Sequence, residues 1–117
     1  MTARRTNLNG LPLIVVDGDI DHATCGEVEA ILQEAISQGK ESLLFDLSDV
    51  DYIDSGGLSV LFSAGRQVRE TGWIGLISPN ASVHRLLELV GALADPAFRI
   101  FEDKAQASAA TSGEDTP

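Results

Sequence analysis

Cysteine, basic residues and long apolar runs are all scarce in this sequence. Cys25 is the only cysteine among 117 residues, so an internal disulfide is impossible and a reducing compartment is the simplest location. Eight lysines and arginines against eighteen acidic residues give a net charge of −10, which disfavours nucleic-acid binding because that requires a basic surface. No apolar run approaches the ~20 residues of a membrane span, and the N-terminus lacks the apolar core of a signal peptide. We therefore expect a cytoplasmic protein that neither binds nucleic acid nor inserts into a membrane.

The motifs of common cofactor, metal and catalytic sites are missing as well. The spaced aspartates from Asp17 to Asp21 resemble a calcium loop, but His22 stands where such a loop needs glycine. His22, Cys25 and His84 are too few and too scattered for a zinc site. The sequence contains neither a Gly-x-x-x-x-Gly-Lys phosphate loop nor a Gly-x-Ser-x-Gly nucleophile motif. We expect no cofactor, no metal and no catalysis.

Acidic residues are concentrated in one part of the chain. Residues 17–54 contain eleven acidic side chains and a single base, Lys40. The simplest interpretation is a solvated face that keeps the protein soluble, and such a face also favours encounter with a basic partner surface.

The pattern of apolar residues alternates between short β-branched runs and stretches of helical periodicity. Strands are predicted over residues 11–17, 42–47, 73–77 and 98–101, with a short strand before the Asn9-Gly10 turn; helices are predicted over 24–38, 56–70 and 80–90, and from about Glu102. This order predicts an α/β fold with a small, mostly parallel mixed sheet of about four to five strands. Residues 1–106 are predicted to form one domain and residues 107–117, which lack periodicity, a disordered acidic tail.

The most informative stretch is Asp54-Ser55-Gly56-Gly57-Leu58, which lies between a predicted strand and a predicted helix. Ser55 stands where the N-cap residue of the helix is expected. Two glycines in a helix cost roughly 1 kcal/mol each relative to alanine, and somewhat less near its end. One interpretation is that they bare the first backbone amides, so that a phosphate on Ser55 would be tolerated there. The other is that Ser55 is an ordinary cap and the glycines serve a tight turn.

Together with Asp19-Ile20-Asp21-His22, this stretch resembles the STAS domain, and more narrowly the bacterial anti-sigma factor antagonists of sporulation and stress signalling. The resemblance covers about residues 12–102. It implies a small sheet with helices packed on one side.

The resemblance also implies a partner switch. The unphosphorylated antagonist would bind an anti-sigma factor that is itself a serine kinase and so free the sigma factor. Phosphorylation of Ser55 would break the complex, and a metal-dependent serine phosphatase would restore it. The residues expected to contact the partner are Asp21, His22, Thr24, Asp54, Ser55, Gly56 and Gly57. Gly56 departs from the family, which usually has serine or threonine there.

Other functions remain open at this point. A receiver domain is disfavoured because it needs a lysine after a late strand to meet the phosphate, and the only lysines, Lys40 and Lys104, are both misplaced for that role. The main alternative is a non-switching STAS adaptor, such as a transporter accessory subunit or a signalling scaffold component, which Gly56 mildly favours. A homodimer is compatible with the sequence.

Overall fold

The structure is a computed structural model that describes residues 2–39 and 41–112. Strands and helices alternate after an N-terminal hairpin, as the apolar pattern predicts. In chain order the elements are β1 (Thr2–Leu8), β2 (Leu11–Asp17), α1 (Cys25–Ser37), β3 (Leu43–Asp49), α2 (Ser55–Val68), β4 (Ile74–Ile77), α3 (Ala81–Leu89), a 3₁₀ turn (Ala92–Ala94), β5 (Phe98–Phe101) and α4 (Lys104–Thr111).

The five strands form one mixed sheet in the order β1-β2-β3-β4-β5. β1 pairs antiparallel with β2, and the other neighbouring pairs are parallel. Asn9 and Gly10 both have positive φ angles, 52° and 84°, which is the geometry of the tight turn that joins two antiparallel strands. The predicted mixed, mostly parallel sheet is confirmed.

Side chains alternate between the two faces of the sheet, and each face has its own apolar core. Helices α1, α2 and α3 pack over the face that carries Ile14, Phe45 and Leu76. On the opposite face Ala107 of α4 joins the buried residues Leu13, Leu44, Trp73, Ile77 and Phe101. The expected one-sided arrangement therefore holds for the first three helices, and α4 adds a helix on the other side.

The C-terminal segment is more ordered than the sequence suggests. The prediction of disorder is wrong for residues 107–111, where α4 continues and both Ala107 and Thr111 are buried. Asp103 caps this helix by accepting a hydrogen bond from the Gln106 amide at 2.8 Å. The remainder of the predicted tail, 113–117, lies outside the described residues.

A buried carboxylate ties α4 to the sheet. Asp46 of β3 is 4% exposed, and Lys104 Nζ lies 3.3 Å from its Oδ2. Burial alone would raise the pKa of Asp46, but hydrogen bonds from the Ser48 hydroxyl and amide, together with Lys104, outweigh it and lower that pKa.

Three apolar side chains of the helical layer are only partly buried. Val90 is 40% exposed, because α3 ends at Leu89. Leu86 is only half-buried. Phe62 is half-buried and packs edge-on against Phe98 of β5. In the described part of the chain, no helix is both long and apolar enough to cross a bilayer.

Candidate functional site at the start of α2

Two loops meet where β2 and β3 end. Ile20 and Ile53 form a parallel bridge beyond the strands. The Ile20 amide donates to the Tyr52 carbonyl at 3.0 Å, and the Asp54 amide donates to the Ile20 carbonyl at 3.1 Å. Both isoleucine side chains are buried. The loop that precedes α1 and the loop that precedes α2 are thus held side by side by backbone hydrogen bonds.

Asp54, not Ser55, is the N-cap of α2, so the predicted assignment is wrong by one residue. Asp54 has extended backbone angles, and its Oδ1 accepts from the amides of Gly56 at 2.8 Å and Gly57 at 3.1 Å. Aspartate and serine are about equally favoured as caps, but a carboxylate makes the stronger, charge-assisted hydrogen bonds and complements the positive end of the helix. Two adjacent cap-forming residues made the sequence ambiguous at this point.

This cap leaves Ser55 as the first helical residue, with an exposed side chain. Among the described residues, the Ser55 hydroxyl has no hydrogen-bond partner within the protein. The hydroxyl is therefore accessible and is not committed to holding the fold.

The amides of Gly56 and Gly57 are not free for a phosphate, contrary to one interpretation of the glycines, because both donate to Asp54. Gly57 has a packing role, since a Cβ there would lie 2.6 Å from the Ile20 carbonyl oxygen and 2.7 Å from Ile53 Cγ2. The absence of a side chain lets α2 begin directly against the neighbouring loop.

Gly56 makes room for His22. A Cβ at Gly56 would lie 3.1 Å from both His22 Cγ and Asp54 Oδ1. The His22 amide donates to Asp54 Oδ2 at 3.1 Å, and His22 Nδ1 lies 2.7 Å from the same oxygen, while the His22 side chain is 73% exposed. The sequence carries no local signal for this contact, because the two residues are 32 positions apart.

Asp21 and Thr24 organise the loop before α1. Asp21 Oδ1 accepts from the Ala23 amide at 2.9 Å and from the Thr24 amide at 3.0 Å. The Thr24 hydroxyl accepts from the Asp21 amide at 3.0 Å and lies 2.9 Å from the Asp19 carbonyl oxygen, to which it can donate. Thr24 is thus committed to the loop, which in turn supports His22 beside Asp54.

The site carries a strong negative charge. Burial alone would raise the pKa of Asp54, but hydrogen bonds from the Gly57 amide, the His22 ring and amide, and the Gly56 amide outweigh it and lower that pKa. Asp54 is therefore ionised at neutral pH. Exposed aspartates at the ends of β2 and β3 and in the loops that follow add to this charge: Asp17, Asp19, Asp49 and Asp51.

Similar proteins agree on the family. The sequence matches the STAS domain family over residues 3–107. It is 27% identical over 93 residues to the anti-sigma-F factor antagonist RsfB of Mycobacterium tuberculosis, which covers 80% of this chain and 75% of RsfB.

Solved structures show the same fold. An anti-sigma factor antagonist from Mycobacterium paratuberculosis superimposes with a TM-score of 0.81 and 25% identity, covering 93% of this chain and 92% of that one. The Bacillus cell fate determinant SpoIIAA in its phosphorylated form gives a TM-score of 0.72 at 16% identity, covering 93% and 99% of the two chains. The family model, the sheet order and the paired loops lead to one conclusion: this chain belongs to the STAS domain family.

Proposed function

We propose that this protein is an anti-sigma factor antagonist whose binding to an anti-sigma factor serine kinase is switched off by phosphorylation of Ser55. The observation that carries the proposal is the Ser55 hydroxyl, which is exposed and makes no hydrogen bond with the described residues at the junction of the two loops. Named relatives of the chain are antagonists of anti-sigma factors. The protein itself acts by binding.

In the proposed reaction the kinase transfers the γ-phosphoryl group of ATP to Ser55 Oγ. The hydroxyl loses its proton, and ADP leaves. A metal-dependent serine phosphatase would reverse the modification by hydrolysis. SpoIIAA, which shares this fold, has been solved in a phosphorylated form, which supports a modification of this kind.

The local charges explain why a phosphate would break the complex. A phosphoryl group adds about −1.5 to −2 charges. The amides of Gly56 and Gly57 already donate to Asp54, whose carboxylate is ionised. The phosphate would therefore face the partner as a hydrated dianion with like charges beside it. Burying such a group without a matching cation costs about 2–5 kcal/mol at an interface, or roughly 30-fold to several-thousand-fold in affinity.

The other predicted partner residues divide by how their side chains are used. His22 is largely exposed and stands next to Ser55 through its contact with Asp54, so we assign it to the contact surface, together with the half-buried Asp21. Thr24 and Gly57 hold the two loops in place and act indirectly. Gly56 contributes by leaving space for His22.

The test is phosphorylation by each serine-kinase anti-sigma factor encoded in the source genome, followed by intact mass spectrometry. We expect the mass of one phosphoryl group to be added to the wild type and not to Ser55→Ala. Ser59→Ala is the matched control, since Ser59 is also exposed and lies one turn further along α2. No mass gain with any kinase, or a gain that persists in Ser55→Ala, would contradict the proposal.

A non-switching adaptor is the alternative function, favoured by Gly56 in place of the family's usual serine or threonine. Ser55→Asp and Ser55→Asn distinguish the two, because the side chains have similar size and differ in charge. A switch predicts weak binding of the kinase by Ser55→Asp and near-normal binding by Ser55→Asn and Ser55→Ala. An adaptor predicts that all three bind their partner as the wild type does.

A further inference from the structure

An apolar cleft lies next to the candidate site, between the loop that precedes α2 and helix α3. Its volume is about 260 Å³, and its walls include Tyr52 and Ile53 on the loop side and Val83, Leu86 and Leu89 on the helix side. Pockets for cofactors and drug-sized ligands usually measure about 300–1,000 Å³. The cleft suits one or two apolar side chains of a protein better than a small molecule.

The walls of the cleft are fixed in relation to each other. Asn80 caps α3 by accepting from the Val83 amide at 2.8 Å, and its side-chain amide donates to the Val50 carbonyl at 3.2 Å. The same side chain thus joins the start of α3 to the loop. A partner would find the cleft already formed and would lose little free energy in ordering it.

Large apolar side chains are exposed at the edge of the cleft. Leu89 is 70% exposed and Tyr52 is 55% exposed. Exposed apolar groups that cluster in one patch mark sites of association. Tyr52 precedes Ser55 by three residues, so their Cα atoms are at most about 11 Å apart. A partner seated in the cleft is within reach of the Ser55 hydroxyl.

The charges around the cleft select the chemistry of that partner. Asp51 lines the loop wall and Arg85 lies on the α3 wall, and the exposed Asp49 precedes Asp51 by two residues at the end of β3. Acidic residues outnumber bases strongly in this part of the chain. Lysine or arginine next to an apolar anchor would complement the loop wall.

We propose that the cleft receives a basic amphipathic helix of the anti-sigma factor, with leucine-like side chains between Tyr52 and Leu89 and cationic side chains next to Asp49 and Asp51. The identity of the partner rests on the proposed function, while the cleft and its preference for such a helix do not. Docking here would place the kinase over Ser55. A helix in a groove contributes anchors at positions i and i+3 or i+4, which are about one turn apart. Such a pair fits along α3, which is about two and a half turns long.

The first experiment uses a synthetic probe and no kinase. A fluorescein-labelled amphipathic peptide of leucine and lysine, about 18 residues or five helical turns long, is titrated by fluorescence anisotropy, with a glutamate-for-lysine peptide as its counterpart. We expect the lysine peptide alone to bind, and Leu89→Ser and Asp51→Lys each to weaken it at least about tenfold. Glu70→Lys is the matched charge control because it follows the opposite end of α2, and its effect should stay below about threefold. No binding, or equal effects of Asp51→Lys and Glu70→Lys, overturns the proposal.

The second experiment measures the same variants against the anti-sigma factor kinase. Leu89→Ser should raise the Kd of that complex at least about tenfold, and an unchanged Kd overturns the assignment of the helix to the kinase. If Ser55 is phosphorylated but Leu89→Ser binds both the peptide and the kinase normally, the proposed function stands and the proposal about the cleft fails. If the peptide binds in the cleft but no kinase phosphorylates Ser55, the proposal that the cleft binds a basic helix stands and the proposed function fails. If sedimentation shows a wild-type dimer that Leu89→Ser dissociates, the cleft is a self-interface and the proposal fails.

Discussion

Gly57→Ala should destabilise the protein, because this glycine lies where α2 touches the neighbouring loop. The added Cβ would stand 2.6 Å from the Ile20 carbonyl oxygen and 2.7 Å from Ile53 Cγ2. Neither atom moves freely, since the carbonyl accepts the Asp54 amide and Ile53 is 1% exposed. Overpacking of this kind costs about 1–3 kcal/mol. Alanine recovers at most about 1 kcal/mol of helix propensity, so we expect a net loss of up to about 3 kcal/mol in the free energy of unfolding, and a loss of about 1–3 kcal/mol relative to a helical Gly→Ala change without the clash.

Gly26→Ala is the matched control, because Gly26 lies in the first turn of α1 and a Cβ there would meet nothing within 4 Å. It should leave stability unchanged or raise it by up to about 1 kcal/mol. Gly56→Ala should fall between the two, since its Cβ would press on the exposed His22 ring, which can move. Urea unfolding followed by circular dichroism measures all three. A Gly57→Ala variant as stable as Gly26→Ala would refute the packing argument.

Three further predictions concern charge, capping and α4. The folded-state pKa values of Asp46 and Asp54 are lowered. The stabilisation that these ionised carboxylates provide is therefore complete above about pH 5 and is lost as the pH falls through their folded-state pKa values. Urea unfolding at a series of pH values should show that Asp46→Asn loses less free energy of unfolding in acid than the wild type does, and an equal loss would contradict this. Asp54→Ala should lower the melting temperature more than Asp54→Asn, which keeps an acceptor for the two amides; equal losses would argue against the cap. Ending the chain after Glu102 removes α4 from the buried Trp73. The fluorescence emission of Trp73 should then shift to the red, and the melting temperature should fall. An unchanged emission spectrum would show that α4 does not cover this face of the sheet.

The sheet and the first three helices could be predicted because their apolar residues follow simple periods. Runs such as Leu11–Asp17 are buried on both faces of a mostly parallel sheet, and α1 carries a regular stripe. The start of helix α4 was predicted near Glu102, but its continuation to Thr111 was missed because alanine, serine and threonine produce no such stripe. It is held on the sheet by contacts that only the folded chain creates, those of Ala107 with the buried residues of that face and of Thr111 with Asn9.

The structure brings the residues expected around Ser55 together, on the loop before α1 and at the start of α2. Their part in binding stays a prediction, and their internal geometry was not predicted. Whether Asp54 or Ser55 caps α2 depends on backbone angles that the residue types alone leave open, since both are good caps. The contact between His22 and Asp54, and hence the reason for Gly56, depends on pairing between loops distant in the sequence.

One phosphoryl group on Ser55 is proposed to close the binding surface. The most direct measurement is a calorimetric titration of the anti-sigma factor kinase, without ATP, with the unmodified protein and with protein carrying phosphoserine at position 55. We predict that the phosphorylated form binds at least about 30-fold more weakly, which corresponds to about 2 kcal/mol. Equal affinity of the two forms would contradict the account.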